Sequence, residues 1–187
     1  MSRSKTISDG HLLDRLMAAM LAHGPSAMSF AKASAAAGLA PATLVQRFGT
    51  RDAMVEAVLL RAWDRLDEET AAAEAAASRD PAGAIDLLLR LTHPDAAEYN
   101  VTDGLLLLRE DIRNPVLRAR GAAWGARLAD GLGRRLTDDP GRATQLGWQM
   151  ASLWQGALIW WAFRRDADPQ AKIRATLEDW RESLGIP

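Results

Sequence analysis

Apolar residues recur at helical spacing from near the start of the chain. Leu12, Leu13, Leu16, Met17, Met20 and Leu21 form one stripe of 3.6-residue period, and Gly24-Pro25 ends it. In the stretch 29–48, SFAKASAAAGLAPATLVQRF, the pattern breaks into two short helices. Phe30, Ala33 and Ala37 share a face on the first. Gly38 closes it, Leu39 plugs the turn, and Pro41 opens the second helix at its first position. Leu44 and Phe48 lie four apart and point back at the first helix, which leaves Thr43, Gln46 and Arg47 on the other face. Thr50 and Asp52 then start a long helix whose buried stripe is Val55, Val58, Leu59, Ala62 and Leu66, after which the apolar content falls to alanine.

The remainder is punctuated by one repeated device. Asp80-Pro81, Asn114-Pro115, Asp139-Pro140 and Asp168-Pro169 each set a capping side chain before a proline at the first helical position, and Pro94-Asp95 is a weaker fifth signal. Helices are expected over 85–91, 96–112, 116–136, 142–165 and 170–184. No alternating strand pattern and no hairpin turn signal interrupts them. The fold class expected is all-α, with about nine helices and no internal repeat.

Composition narrows the class further. The chain has 187 residues and no cysteine, which excludes disulfide frameworks and thiolate metal sites. No apolar run is long enough to span a bilayer, and the first residues lack the apolar core of a signal peptide, so the chain is expected to be cytoplasmic with no membrane partner. The net charge of −1 hides an asymmetry: residues 1–65 carry eight Lys or Arg and five Asp or Glu, while the excess beyond them is acidic. A basic first third suits a polyanion.

An apolar back, a glycine turn and a short polar front describe a helix-turn-helix that fits the DNA major groove; an ordinary helical hairpin needs the same glycine and apolar faces. Thr43, Gln46 and Arg47 are the groove-facing candidates, with Ala42 and Val45 adding apolar contact. Ser29 and Lys32 at the start of the supporting helix, and Thr50 and Arg51 at the start of the long one, are candidate phosphate holders.

The order of amphipathic helix, two-helix hairpin and long helix resembles the TetR family of bacterial transcriptional regulators over about residues 9–60. The residues that carry the resemblance are Phe30, Ala33, Ala36, Ala37, Gly38, Pro41, Thr43, Leu44, Phe48, the run Thr50-Arg51-Asp52-Ala53, Val55, Ala57 and Val58. Arg51 matches a family position that is usually lysine. The segment 105–120, LLLLREDIRNPVLRAR, looks like the junction of two later helices in such regulators. One place departs from the pattern. Where the family commonly has a tyrosine on the DNA backbone, then a pair ending in histidine, this chain has Val45, Gln46 and Arg47.

The resemblance implies a DNA-binding domain over 1–62 and an effector-binding and dimerisation domain over 63–187. It implies a homodimer on a palindromic double-stranded DNA operator, with repression as the default and an unknown small molecule as effector. Tyr99, Trp124, Trp148, Met150 and Trp154 are the effector-pocket candidates, since tryptophan gives a large apolar face with one donor. The last two helices suit dimerisation: Leu153, Ala157 and Trp161 on one, Ile173, Leu177 and Trp180 on the other, with Gly147, Ala151 and Gly156 permitting close approach. The same faces also suit a monomer core.

An enzyme is not expected. The three histidines, His11, His23 and His93, are not spaced as ligand pairs, and no phosphate loop or nucleophile motif is present, so no cofactor and no metal are expected. The competing reading is a helical small-molecule or protein-binding module that has lost specific DNA contact.

Overall fold

The structure, a computed structural model, describes residues 8–92, 97–166 and 168–186, with the side chains of 97–104 left aside. The described residues form nine α-helices: α1 (Asp9–His23), α2 (Phe30–Ala37), α3 (Pro41–Phe48), α4 (Arg51–Ala76), α5 (Pro81–Arg90), α6 (Ala97–Arg113), α7 (Pro115–Leu136), α8 (Pro140–Arg164) and α9 (Pro169–Ser183), with a 3-10 turn at Pro25–Ala27. The all-α expectation holds, and the expected helices fall within a few residues of those observed.

Local chemistry sets the helix starts. The Asp80 carboxylate accepts from Gly83 N at 2.8 Å, Asp139 from Gly141 N at 2.9 Å, Asp168 from Ala171 N at 2.8 Å, and the Asn114 side-chain oxygen from Val116 N at 2.8 Å. Each satisfies a backbone donor that the first helical turn leaves without a partner. The Asp80 carboxyl is held below its ordinary pKa first by the Ser78 hydroxyl, which donates at 2.7 Å, and then by the Gly83 N–H. The fifth signal, at Pro94-Asp95, lies outside the described residues.

The chain divides into two compact units, one of residues 1–65 with 105–120, the other of 66–104 with 121–187; α4, α6 and α7 each contribute to both. The core of the first unit gathers Leu12, Leu16 and Met20 of α1, Ala33 and Ala37 of α2, Leu44 of α3, and Met54, Val55, Val58 and Leu59 of α4. Leu117 of α7 completes it, and Phe30, Leu39 and Phe48 pack on its edge. Gly38 turns α2 into α3 with φ 69° and ψ 27°, a left-handed conformation that suits glycine. The Ser34 hydroxyl braces the same turn by donating to the Leu39 carbonyl at 2.6 Å.

In the second unit, α7 and α8 meet backbone to backbone. A Cβ on Gly147 would lie 1.8 Å from the Ala129 carbonyl oxygen, and one on Gly133 would lie 2.1 Å from that of Ala143. Only a residue without a side chain fits either place. Helix α9 lays Ile173 and Leu177 into the core, packing on α8 and α5. The end of α4 is closed by a single buried cation. Arg135 donates to the carbonyls of Ser78 at 2.9 Å, Glu74 at 2.9 Å and Gly131 at 2.8 Å, and pairs with the Glu74 carboxylate at 3.4 Å. Its donors satisfy carbonyls near the last turn of α4. Among the described residues no helix is long and apolar enough to cross a membrane.

Candidate nucleic-acid interface

Helix α3 exposes one row and hides another. Leu44 is fully buried and Phe48 half-buried, while Ala42, Thr43, Val45, Gln46 and Arg47 are all exposed. The amphipathic pattern alone produces this: the two apolar residues bind α3 to the core, and what remains must face outward. Val45 is 44% exposed, so it faces outward with Thr43 and Gln46.

The supporting positions divide into exposed and engaged groups. Ser29 caps α2, its hydroxyl accepting from Lys32 N at 3.3 Å, and both side chains are exposed. Thr50 caps α4 by accepting from Ala53 N at 3.1 Å, which leaves its hydroxyl proton for another acceptor.

The two arginines are both engaged within the chain. Arg51 donates through Nε to the Met28 carbonyl at 3.1 Å and through Nη2 to the Pro25 carbonyl, and it pairs with Asp52 at 2.7 Å. One guanidinium thus ties the 3-10 turn to the start of α4, a geometry that a lysine cannot reproduce with its single nitrogen. Arg47 forms an ion pair with Asp9, in the first turn of α1. Asp9 and the Pro25 and Met28 carbonyls lie far away along the chain from the arginines they meet, so no local pattern signals them.

The effector candidates whose side chains are described differ in exposure. Trp124 is buried, its Nε1 donating to the Thr70 hydroxyl at 3.0 Å; Trp154 is buried, its Nε1 donating to the Thr92 hydroxyl at 2.8 Å; Met150 is fully enclosed. Trp148 is 45% exposed and lays its ring over Gly125. The Tyr99 side chain lies outside the described residues. A cavity of about 540 Å³ in the same unit has other walls: Ala71, Glu74, Ala75, Arg79, Arg134 and Arg135 among them.

The dimer candidates also divide. Ile173 and Leu177 have no accessible surface, and Trp161 is buried. These three close the fold within one chain, so Ile173 and Leu177 have no surface left to offer a second copy. Leu153, Ala157 and Trp180 are half-buried. Besides Trp148, the exposed large apolar residues of α8 are Ile159, Trp160 and Phe163, with the Trp160 and Phe163 ring centroids 5.9 Å apart. Gly156 faces open space.

No protein-family model matches the chain, and no curated protein matches it in sequence. Solved structures do match. A candidate transcriptional regulator from Pseudomonas aeruginosa PAO1 superposes with a TM-score of 0.74 at 17% identity, over 92% of this chain and 88% of its own. A candidate TetR-family transcriptional regulator from a Rhodococcus species superposes with a TM-score of 0.58 at 17% identity, over 90% of this chain and 95% of its own. At that identity the likeness establishes a shared all-α fold.

Proposed function

We propose that this chain is a sequence-specific DNA-binding transcriptional regulator of the TetR family, a ligand-responsive repressor that acts as a homodimer on a palindromic operator. The observation that carries the reading is the outward row of α3. A helix held to its core by Leu44 and Phe48 presents Thr43, Val45, Gln46 and Arg47 together on the surface. Such a helix fits the major groove, where hydroxyl, amide and guanidinium groups read base edges and a valine methyl meets the thymine methyl. Ser29, Lys32 and Thr50 would position the helix on phosphates. Arg51 reaches a phosphate only with the part of its fork that the backbone leaves over. Residues 1–62 are then the DNA-binding domain, and 63–187 the effector-binding and dimerisation domain, working in the cytoplasm.

The effector would bind in the second unit, with Trp124, Trp148, Met150, Trp154 and Tyr99 as the candidate residues. An effector works by differential affinity for two arrangements of the dimer. The second copy would meet Leu153, Ala157 and Trp180, with Trp160 and Phe163 adding the surface that Ile173 and Leu177 lack.

One observation favours a second reading, a helical binding module without specific DNA contact: the Arg47 and Arg51 guanidinium groups are both engaged within the chain. Selection of duplexes from a random pool, followed by gel-shift titration, separates the two. A regulator should recover a palindrome with half-sites about 34–36 Å apart, or a multiple of that. Its affinity should fall steeply with salt as counterions are released. No binding to any duplex at low salt overturns the regulator.

A further inference from the structure

Arg47 is the one charged residue of α3, so the whole positive charge of the outward row rests on it. Its guanidinium is already held by the carboxylate of Asp9, which stands in the first turn of α1 directly after the cap Ser8. The Asp9 side chain is 80% exposed and that of Arg47 30% exposed, so the pair lies at the surface within reach of an approaching polyanion. No other residue of the row competes, since Ala42, Thr43, Val45 and Gln46 carry no charge.

We infer that Asp9 is an intramolecular competitor for Arg47, holding the guanidinium until DNA displaces it. The inference rests on the DNA-reading role proposed for α3. A carboxylate and a phosphate both accept from the two-pronged guanidinium fork, so each satisfies the same donors. A phosphate on an arbitrary duplex therefore replaces an existing partner instead of gaining a free cation. A guanine edge offers O6 and N7 to the same fork, so it too must displace the carboxylate. The competition thus weighs on every complex that recruits Arg47, whether to a phosphate or to a guanine edge.

The test is a double-mutant cycle on the full chain, read as anisotropy with a mixed-sequence 30-base-pair duplex at fixed low salt. Asp9→Asn should bind about two- to fivefold more tightly than the unaltered chain, the range expected for removal of one surface ion pair. In an Arg47→Ala background, Asp9→Asn should change nothing. Asp9→Ser serves as a second variant with a different helix preference, and it should repeat the result. A gain of equal size in both backgrounds means that Asp9 acts through bulk charge and overturns the inference while leaving the DNA-binding reading intact. A weaker Asp9→Asn complex overturns it too, since Asp9 would then be orienting Arg47 for DNA. If the unaltered chain binds no duplex, the DNA-binding reading itself falls, and the inference falls with it.

Discussion

The indole Nε1 of Trp154 donates to the Thr92 hydroxyl at 2.8 Å, and that hydroxyl donates onward to the Leu88 carbonyl at 2.9 Å. The contact joins α8 to the end of α5, where Gln170 from α9 also donates to the carbonyls of Leu89 at 3.1 Å and Thr92 at 2.8 Å. Both Trp154 and Thr92 are buried, so neither can exchange its partner for water. Thr92→Val strands the indole N–H and should cost about 1–3 kcal/mol. For a domain of this size that lowers the melting temperature by about 2–4 °C per kcal/mol. Adding Trp154→Phe removes the stranded donor, so the double variant should recover part of the loss, measured by thermal unfolding.

The crossing of α7 and α8 makes two glycines opposite in kind. Gly147→Ala drives a Cβ into the Ala129 carbonyl and should cost about 3 kcal/mol, because the obstacle is backbone. Gly156→Ala meets nothing within 4 Å and should stabilise the chain by about 0.5–1 kcal/mol through helix preference. Thermal unfolding of the two variants should shift in opposite directions.

Asp111 supplies a pH dependence. Burial raises its carboxyl above the ordinary 3.8, opposed by the Trp63 indole, which donates at 3.0 Å, with the neighbouring Glu110 carboxylate adding to the rise. A folded-state pKa above the unfolded value means that the folded chain binds the proton more tightly. The stability from this group is therefore complete below 3.8 and is lost as pH rises through the raised value. Asp111→Asn keeps an oxygen for the indole and carries no charge. It should melt higher than the unaltered chain at neutral pH, and the difference should close in melts taken below 3.8.

Arg47→Ala should weaken operator binding by about 1–3 kcal/mol if the guanidinium reads a guanine, with the loss concentrated at one base position. A loss equal on all sequences would mean phosphate contact alone. Titrations against the selected operator and its point-substituted versions distinguish the two outcomes.

Phe163 is 78% exposed, so Phe163→Asp removes nothing from the core. If α8 meets a second copy there, the variant should sediment as a monomer with an unchanged melting profile at low concentration. A dimer that persists would remove this end of α8 from the interface.

Local chemistry was legible in the sequence, and long-range partnership was not. Asp80, Asn114, Asp139 and Asp168 announce helix starts because each cap acts within three residues of itself. The stripe of Leu12, Leu16 and Met20 is readable for the same reason, since periodicity is a property of one helix. Periodicity cannot say which chain covers a stripe. Ile173 and Leu177 read equally well as interface or core, and within this chain they are wholly enclosed. The small residues of α8 signal close approach, yet only the fold shows that Gly147 meets α7 of the same chain while Gly156 is open. Nor does a cation's position along the sequence show where its fork points. Arg51 reads in the sequence as a candidate phosphate holder, and its donors run back to the Pro25 and Met28 carbonyls.

The glycine contacts between α7 and α8 also bear on how the second unit can change shape. Where side chains separate two helices, a layer of rotamers can be rearranged and the helices can slide. Gly133 and Gly147 leave no such layer, because carbonyl oxygens stand directly against α-carbons. The two helices therefore travel as one plank, and whatever flexing this unit performs falls on the elements around that plank, such as α5, α9 and the hydrogen-bonded seam at Thr92.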